Sequence, residues 1–204
     1  MHRIAKRLVP DRIRHPIAVL FYGRIEQEHW IRAVMNQDIA RYVAALPCAE
    51  LDALEVSGDR LAESGWRSYR SVHFPEFDLC APLSETEAAD VVICEQVLEH
   101  VVDPIAATRN LFRLLRPGGR LIVDTPFLVR IHQIPGDYWR FTPDGLRILL
   151  EQAGFKDIEV DAWGNRFVAF QNFGKRWRPV RRFGQPMFNE PNVPVSVWAF
   201  CRRP

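Results

Sequence analysis

One short stretch, Glu95-Gln96-Val97-Leu98-Glu99-His100, sets two carboxylates, an amide and an imidazole close together. A second stretch further along offers His132, Asp137, Tyr138 and Arg140. Imidazole titrates near neutrality, so His100 and His132 have the intrinsic pKa of a general base. Glu95 and Glu99 could orient a ligand or cap the turn that follows them. Tyr138 and Arg140 are groups that a polar acceptor needs, and Arg140 would matter most for an ionised one. His132, Tyr138 and Arg140 are therefore the candidate catalytic residues. No metal site is expected. The four cysteines, Cys48, Cys80, Cys94 and Cys201, are scattered without a C-x-x-C pair and read as structural thiols.

The elements that must position these groups are legible in the apolar pattern. Val91-Val92-Ile93 is a β-branched run that suits a strand buried on both faces. From Pro104, Ile105, Leu111, Leu114 and Leu115 recur at helical spacing, and Arg116-Pro117-Gly118-Gly119 stops that helix. Leu121-Ile122-Val123 re-enters the sheet, and Pro126 ends the strand. Strand, helix and strand form a βαβ unit, which places ligands at the carboxyl ends of its strands. Glu95 to His100 stand at that end. Pro135 and Gly136 forbid a long helix after Phe127, so His132 to Arg140 must form a loop over the same edge. Thr142-Pro143-Asp144 then caps a helix whose buried face is Leu146, Leu149 and Leu150, with Gly154 as its C-cap.

Further strands are predicted at Ala53–Val56, Tyr69–Val72, Ile158–Val160 and Val195–Phe200. A helix is predicted between Ile25 and Leu46, ended by Pro47. The expected organisation is an N-terminal arm and helix bordering the substrate site over 1–47, followed by one α/β domain over 48–204.

The chain has 204 residues, 48% hydrophobic and 25% charged, with a net charge of +2. That balance does not advertise a nucleic-acid binder, and no apolar stretch approaches membrane-spanning length. Met1 to Gly23 carries no signal-peptide pattern, so a cytoplasmic protein is expected. That arm could lie on an anionic surface, cover a ligand site or simply pack. Lys175 to Arg182 interleaves bases with an aromatic. It suits a solvated or dimer-forming edge, an anionic small substrate or, least of all, single-stranded nucleic acid.

D-V-V-I-C-x-x-V-L-E-H-V-x-D-P followed by L-R-P-G-G-R-L-I-V-x-T-P-F closely resembles the central block of class I S-adenosylmethionine-dependent methyltransferases. Y-W-R-F-T-P-D-G-L-R-I-L-L-E-Q-A-G-F resembles the next block of the small-molecule and glycan-modifying branch. The resemblance implies a Rossmann-like α/β fold, with a mostly parallel seven-stranded sheet, an antiparallel last strand and helices on both faces. It also implies S-adenosyl-L-methionine as cofactor and a small-molecule acceptor, anionic or sugar-containing. O-methylation of a sugar, a glycolipid precursor or a specialised metabolite is the activity it points to. By the same resemblance the cofactor-binding residues are Glu55, Ser57, Gly58, His73, Phe74, Asp78, Leu79, Glu95, Gln96, Val97 and His100. The chain departs from the family after its first strand. Glu55 and Gly58 are kept, but the G-x-G-x-G repeat is not, and His73 stands where an acid usually meets the ribose. The alternative is therefore a methyltransferase-fold protein acting as a binding or partner subunit.

Overall fold

The computed structural model describes residues 29–84, 86–132, 136–173 and 185–204. The arm from Met1 to Gly23 and the Lys175 to Arg182 segment lie outside these residues. Six strands form one sheet: β1 (Asp52–Val56), β2 (Ser68–Val72), β3 (Ala89–Glu95), β4 (Leu115–Pro126), β5 (Lys156–Trp163) and β6 (Ser196–Arg202). Their order is β2-β1-β3-β4-β6-β5. The pairs β1–β2, β1–β3 and β3–β4 are parallel, whereas β6 runs antiparallel to both neighbours, as expected of the last strand.

Strand side chains alternate between faces, and two cores follow. Leu54, Val92, Cys94, Leu121, Val123, Val197 and Ala199 pack with Leu111 and Leu114 of α2 (Pro104–Leu114) and Leu146 and Leu150 of α3 (Pro143–Ala153). On the other face, Ala53, Val91, Ile93, Ile122, Trp198 and Phe200 meet Met35, Ile39 and Val43 of α1 (Ala33–Ala44) and Val168 of α4 (Arg166–Asn172). A three-layer α/β/α arrangement results. The helix expected from Ile25 begins, within the described residues, as a single 3-10 turn at Trp30–Arg32 followed by α1.

The caps follow the local chemistry. Thr142 accepts from the Gly145 N–H, Asp103 accepts from Ile105 and Ala106, and Gly154 ends α3 at φ 104°. Arg116 to Gly119 is a bulge rather than a gap between elements. Leu115 already pairs with Ala89, and the ladder resumes at Arg120 opposite Val91.

The seven-stranded expectation is corrected to six strands among the described residues. Where a further edge strand would pair beyond β2, the described residues 73–84 and 86–88 run through turns and bends. Pro75 and Pro82 lack the N–H that a ladder needs. The Asn110 side chain of α2 takes the carbonyls of Leu79 and Ala81, each at 2.8 Å. The segment is thereby pinned against α2 in irregular form. Among the described residues no helix is long and apolar enough to cross a membrane.

Candidate active site

The carboxyl ends of β1 and β3 open onto a cavity of about 470 Å³, within the usual range of ligand sites. Two residues in its wall, Ser57 at φ 61° and Gln96 at φ 54°, hold left-handed backbone conformations without being glycine. Such backbone persists only where surrounding contacts enforce it, and it concentrates at functional sites.

Ser57 is held by its N–H bond to the Val72 carbonyl at 2.7 Å, and the loop after it is organised by Glu55. Its carboxylate is fully buried and accepts from the Arg60 N–H at 3.2 Å, the Leu61 N–H at 3.3 Å and the Tyr69 hydroxyl at 2.8 Å. Burial raises the Glu55 pKa despite these donors. A Cβ at Gly58 would collide with Glu55 Oε1, which explains the single retained glycine. Arg60, presented by the same loop, pairs both ways with Glu95, with Nε 2.7 Å from Oε2. The glycine-poor loop is thus organised by side chains instead of by close backbone approach.

Behind Gln96 the group is Asp124 on β4, directly opposite Glu95 in the ladder. Its Oδ1 accepts from the Gln96 backbone N–H at 3.2 Å and from the Gln96 side-chain amide. Its Oδ2 is buried without a hydrogen-bond partner, and burial pushes its pKa well above the carboxylate range. One turn on stands Glu99, equally buried, with both oxygens lacking hydrogen bonds and its pKa pushed up to about 7.

The loop after β4 crosses this edge. The Tyr138 N–H donates to the Glu99 carbonyl at 2.7 Å, and the Trp139 indole donates to the Val101 carbonyl at 3.0 Å. His100 Nδ1 bonds the Gly136 carbonyl. The His132 N–H donates to Asp137 Oδ2 at 2.7 Å, and its ring Nδ1 lies 3.2 Å from the same oxygen. Arg140 clamps Asp137 through Nη1 and Nη2 and also donates to the carbonyls of Val129, Arg130 and Trp139. The Arg140 guanidinium holds the Asp137 carboxyl down at about 2. Burial lowers the His132 pKa, more than the nearby Asp137 raises it, so the ring is neutral at neutral pH.

Of the residues anticipated from the sequence, Ser57, Phe74, Asp78, Leu79, Gln96, Val97, His100 and Tyr138 share the cavity wall. Glu55, Gly58 and Glu95 support that wall from behind. His73 is outside it, at the end of β2 with Nε2 2.9 Å from Ser71 Oγ. His132 stands edge-on to His100 with ring centroids 5.0 Å apart, and Arg140 is a clasp within the loop. Val56, Phe77, Cys80, Val101 and Val102 complete the wall and were not singled out. Asp124 was also missed, although a carboxylate between Leu121-Ile122-Val123 and Pro126 was a signal. Arg60 carried none.

Residues 26–160 match the model of a family described as a methyltransferase domain. An alignment over 83 residues, covering 35% of this chain and 27% of the other protein, is 35% identical to a tRNA U34 carboxymethyltransferase of Sulfurovum sp.. A stretch of 48 residues, 24% of this chain, is 48% identical to a ubiquinone biosynthesis O-methyltransferase of Xanthomonas oryzae pv. oryzae, covering 19% of it. The matches thus span about a quarter or less of these curated relatives. Among solved structures, phosphoethanolamine N-methyltransferase 2 of Haemonchus contortus in complex with S-adenosyl-L-methionine superposes with TM-score 0.57. The superposition has 13% identity, over 91% of this chain and 56% of that one. It shows the shared fold.

Proposed function

The chain belongs to the methyltransferase-domain family, and from that premise we propose that it transfers a methyl group from S-adenosyl-L-methionine to an oxygen of a small polar acceptor. A sugar, a glycolipid precursor or a specialised metabolite is the acceptor class. The observation that carries the reading is the cavity at the carboxyl ends of β1 and β3, whose wall joins Ser57, Asp78, Gln96 and His100 to Tyr138 of the overlying loop.

The wall suits the cofactor's chemistry. Asp78 offers an acceptor for an amino or hydroxyl group, while Phe77, Leu79 and Val97 supply apolar surface for a flat ring. Gln96, held by Asp124, presents an amide at the strand end. When bound, the cofactor supplies a methyl group on a sulfonium, already activated for attack. The protein then has to align an acceptor oxygen, exclude water and take up a proton. Tyr138 and Trp139, tied to the carbonyls of Glu99 and Val101, place the loop over the opening. His132 is neutral and oriented by Asp137, which Arg140 holds ionised, so the ring is prepared to accept a proton. Arg140 therefore acts as a positioning residue. An oxygen acceptor agrees with the O-methyltransferase among the matched relatives.

Isothermal titration of the purified chain with S-adenosylmethionine and S-adenosylhomocysteine tests the first half. One site per chain is expected, and no heat at millimolar ligand with folded protein would overturn it. Comparing metabolites from cells with and without the protein tests the second half. The expected signal is a product heavier by one methylene.

A further inference from the structure

Glu99 is fully buried, yet neither of its carboxylate oxygens has a hydrogen-bond partner. Buried carboxylates are otherwise bonded, paired or on a metal, because desolvation without compensation is unfavourable. The groups facing Glu99 are two imidazoles. His100 Nε2 lies 3.5 Å from Glu99 Oε1, and His132 Nε2 lies 4.0 Å from the same oxygen. Both separations exceed a hydrogen bond.

The opposite ring nitrogens settle the tautomers. His100 Nδ1 faces the Gly136 carbonyl. His132 Nδ1 stands 3.2 Å from the Arg130 carbonyl and 3.2 Å from Asp137 Oδ2. Carbonyls and carboxylates only accept, so each Nδ1 carries a proton and, in the neutral form, each ring turns its Nε2 lone pair toward Glu99. Lone pairs converging on a buried carboxylate repel one another unless a cation stands among them. One shared proton would serve one pair, not three donors.

We propose that Glu99, His100 and His132 bind one divalent transition-metal ion. The donor set is two imidazoles and one carboxylate, the composition of zinc and non-haem iron(II) sites that keep open positions for substrate. One ligand atom from each residue lies within 4.8 Å of the others. Around a tetrahedral ion with 2.0–2.1 Å bonds, ligand atoms stand roughly 3.3 Å apart, so a small inward rotation of the rings completes the site. The carbonyls of Gly136 and Arg130 and the Asp137 carboxylate are the outer partners that ligating histidines use to fix their orientation. His100 also lines the cavity, so the open positions face the ligand space. Resting on the methyl-transfer reading, the ion's role would be to bind the acceptor oxygen and ease loss of its proton to solvent water, with His132 then a ligand instead of the base.

The test uses the purified chain stripped with a chelator, then titrated with Zn²⁺, Mn²⁺, Mg²⁺ and, without oxygen, Fe²⁺. One equivalent of a transition ion should bind, with Mg²⁺ far weaker. Glu99→Gln and His132→Ala, each checked for folding by circular dichroism, should weaken binding by at least the roughly 10–100-fold seen for lost outer-shell partners. His132 is on a loop, so His132→Ala keeps the test available if Glu99→Gln misfolds. Failure of the wild-type chain to bind any ion saturably, or unchanged affinity in the folded variants, would overturn the proposal. Titration with S-adenosylhomocysteine on the same samples keeps the two readings apart. Metal binding without cofactor binding sinks only the methyl-transfer reading, and the reverse sinks only the metal site.

Discussion

Both ends of the sheet gather carboxylates, but they treat them in opposite ways. At the amino edge, Asp52 and Asp90 face Arg67 and Arg116. Arg67 Nη2 lies 2.6 Å from Asp52 and 3.3 Å from Asp90, and Arg116 Nη1 lies 2.9 Å from each. The Ser68 hydroxyl and the Asp52 N–H complete the network. The arginines hold Asp52 well below the usual carboxylate range. At the carboxyl edge Glu55, Glu99 and Asp124 are buried, all three with raised pKa values, and Glu99 and Asp124 keep unpartnered oxygens. Paired, solvated charge fastens strand ends, whereas buried carboxylates with raised pKa values are the pattern of a candidate ligand site. The same side chain type thus ties strands together at one edge and lies buried beside the candidate site at the other.

The largest expected effect lies at the carboxyl edge. His132→Asn should lower turnover by about 10²–10⁴ with little change in S-adenosylmethionine affinity, whether the ring is a base or a metal ligand. Steady-state kinetics on the identified acceptor, paired with cofactor titration, checks this. Turnover within threefold of wild type would remove the loop from the chemistry and erase half of the contrast.

Next comes cofactor affinity. Asp78→Ala removes an acceptor from the cavity wall and should weaken S-adenosylmethionine binding by about 1–3 kcal/mol. Asp90→Ala, at the opposite edge, should leave it within twofold. Calorimetry on both variants measures the difference directly, and equal losses would mean that the two edges are not functionally distinct.

The contrast also explains what was legible in the sequence. Apolar runs such as Val91-Val92-Ile93 announced the strands because burial on both faces leaves no polar alternative. Thr142-Pro143 and Gly154 announced α3 because caps are local chemistry. The cavity wall was partly legible because strand ends fix it, as with Ser57 and Gln96. What failed depended on long-range pairing. The missing edge strand reflects Asn110 of α2 seizing the carbonyls of Leu79 and Ala81. The helix α4 was hidden inside an aromatic stretch. Its cap is Asn165, whose Oδ1 accepts from Phe167 and Val168. The meeting of Glu99, His100 and His132 needs the loop folded back by the Tyr138 N–H on the Glu99 carbonyl. No spacing rule predicts that contact.

Asp124 gives the pH signature of the buried edge. Its folded pKa is raised, so the folded chain keeps a proton that the unfolded chain releases near 3.9. Its stabilising contribution is full below that value and fades as pH rises through the raised folded pKa. Asp124→Asn has no such proton to lose. Relative to wild type the variant should gain on the order of 1–3 kcal/mol between pH 5 and pH 8. Urea unfolding at the two pH values reads the slope, independent of any constant offset from the new amide. A parallel pH dependence in both proteins would place Asp124 among ordinary solvated acids.

The smallest effect belongs to the amino edge, where Arg116→Gln is the test. Arg116 joins Asp52 and Asp90 at 2.9 Å but leaves 37% of its side chain exposed. Water screens such a pair, so its net worth should not exceed about 1 kcal/mol. Salt decides whether the remaining effect is Coulombic. At 1 M ionic strength the Debye length falls to about 3 Å, and exposed pairs lose most of their attraction. The stability difference between wild type and Arg116→Gln should therefore shrink between 0.05 and ~1 M sodium chloride. The corresponding difference for Asp124→Asn at pH 8 should stay, because a buried group that keeps its proton gives mobile ions no charge to screen in the folded chain. Thermal unfolding of both variants across that salt series puts the two edges in one experiment. Equal salt sensitivity would show that both carboxylate groups are solvated alike and would dissolve the distinction between them.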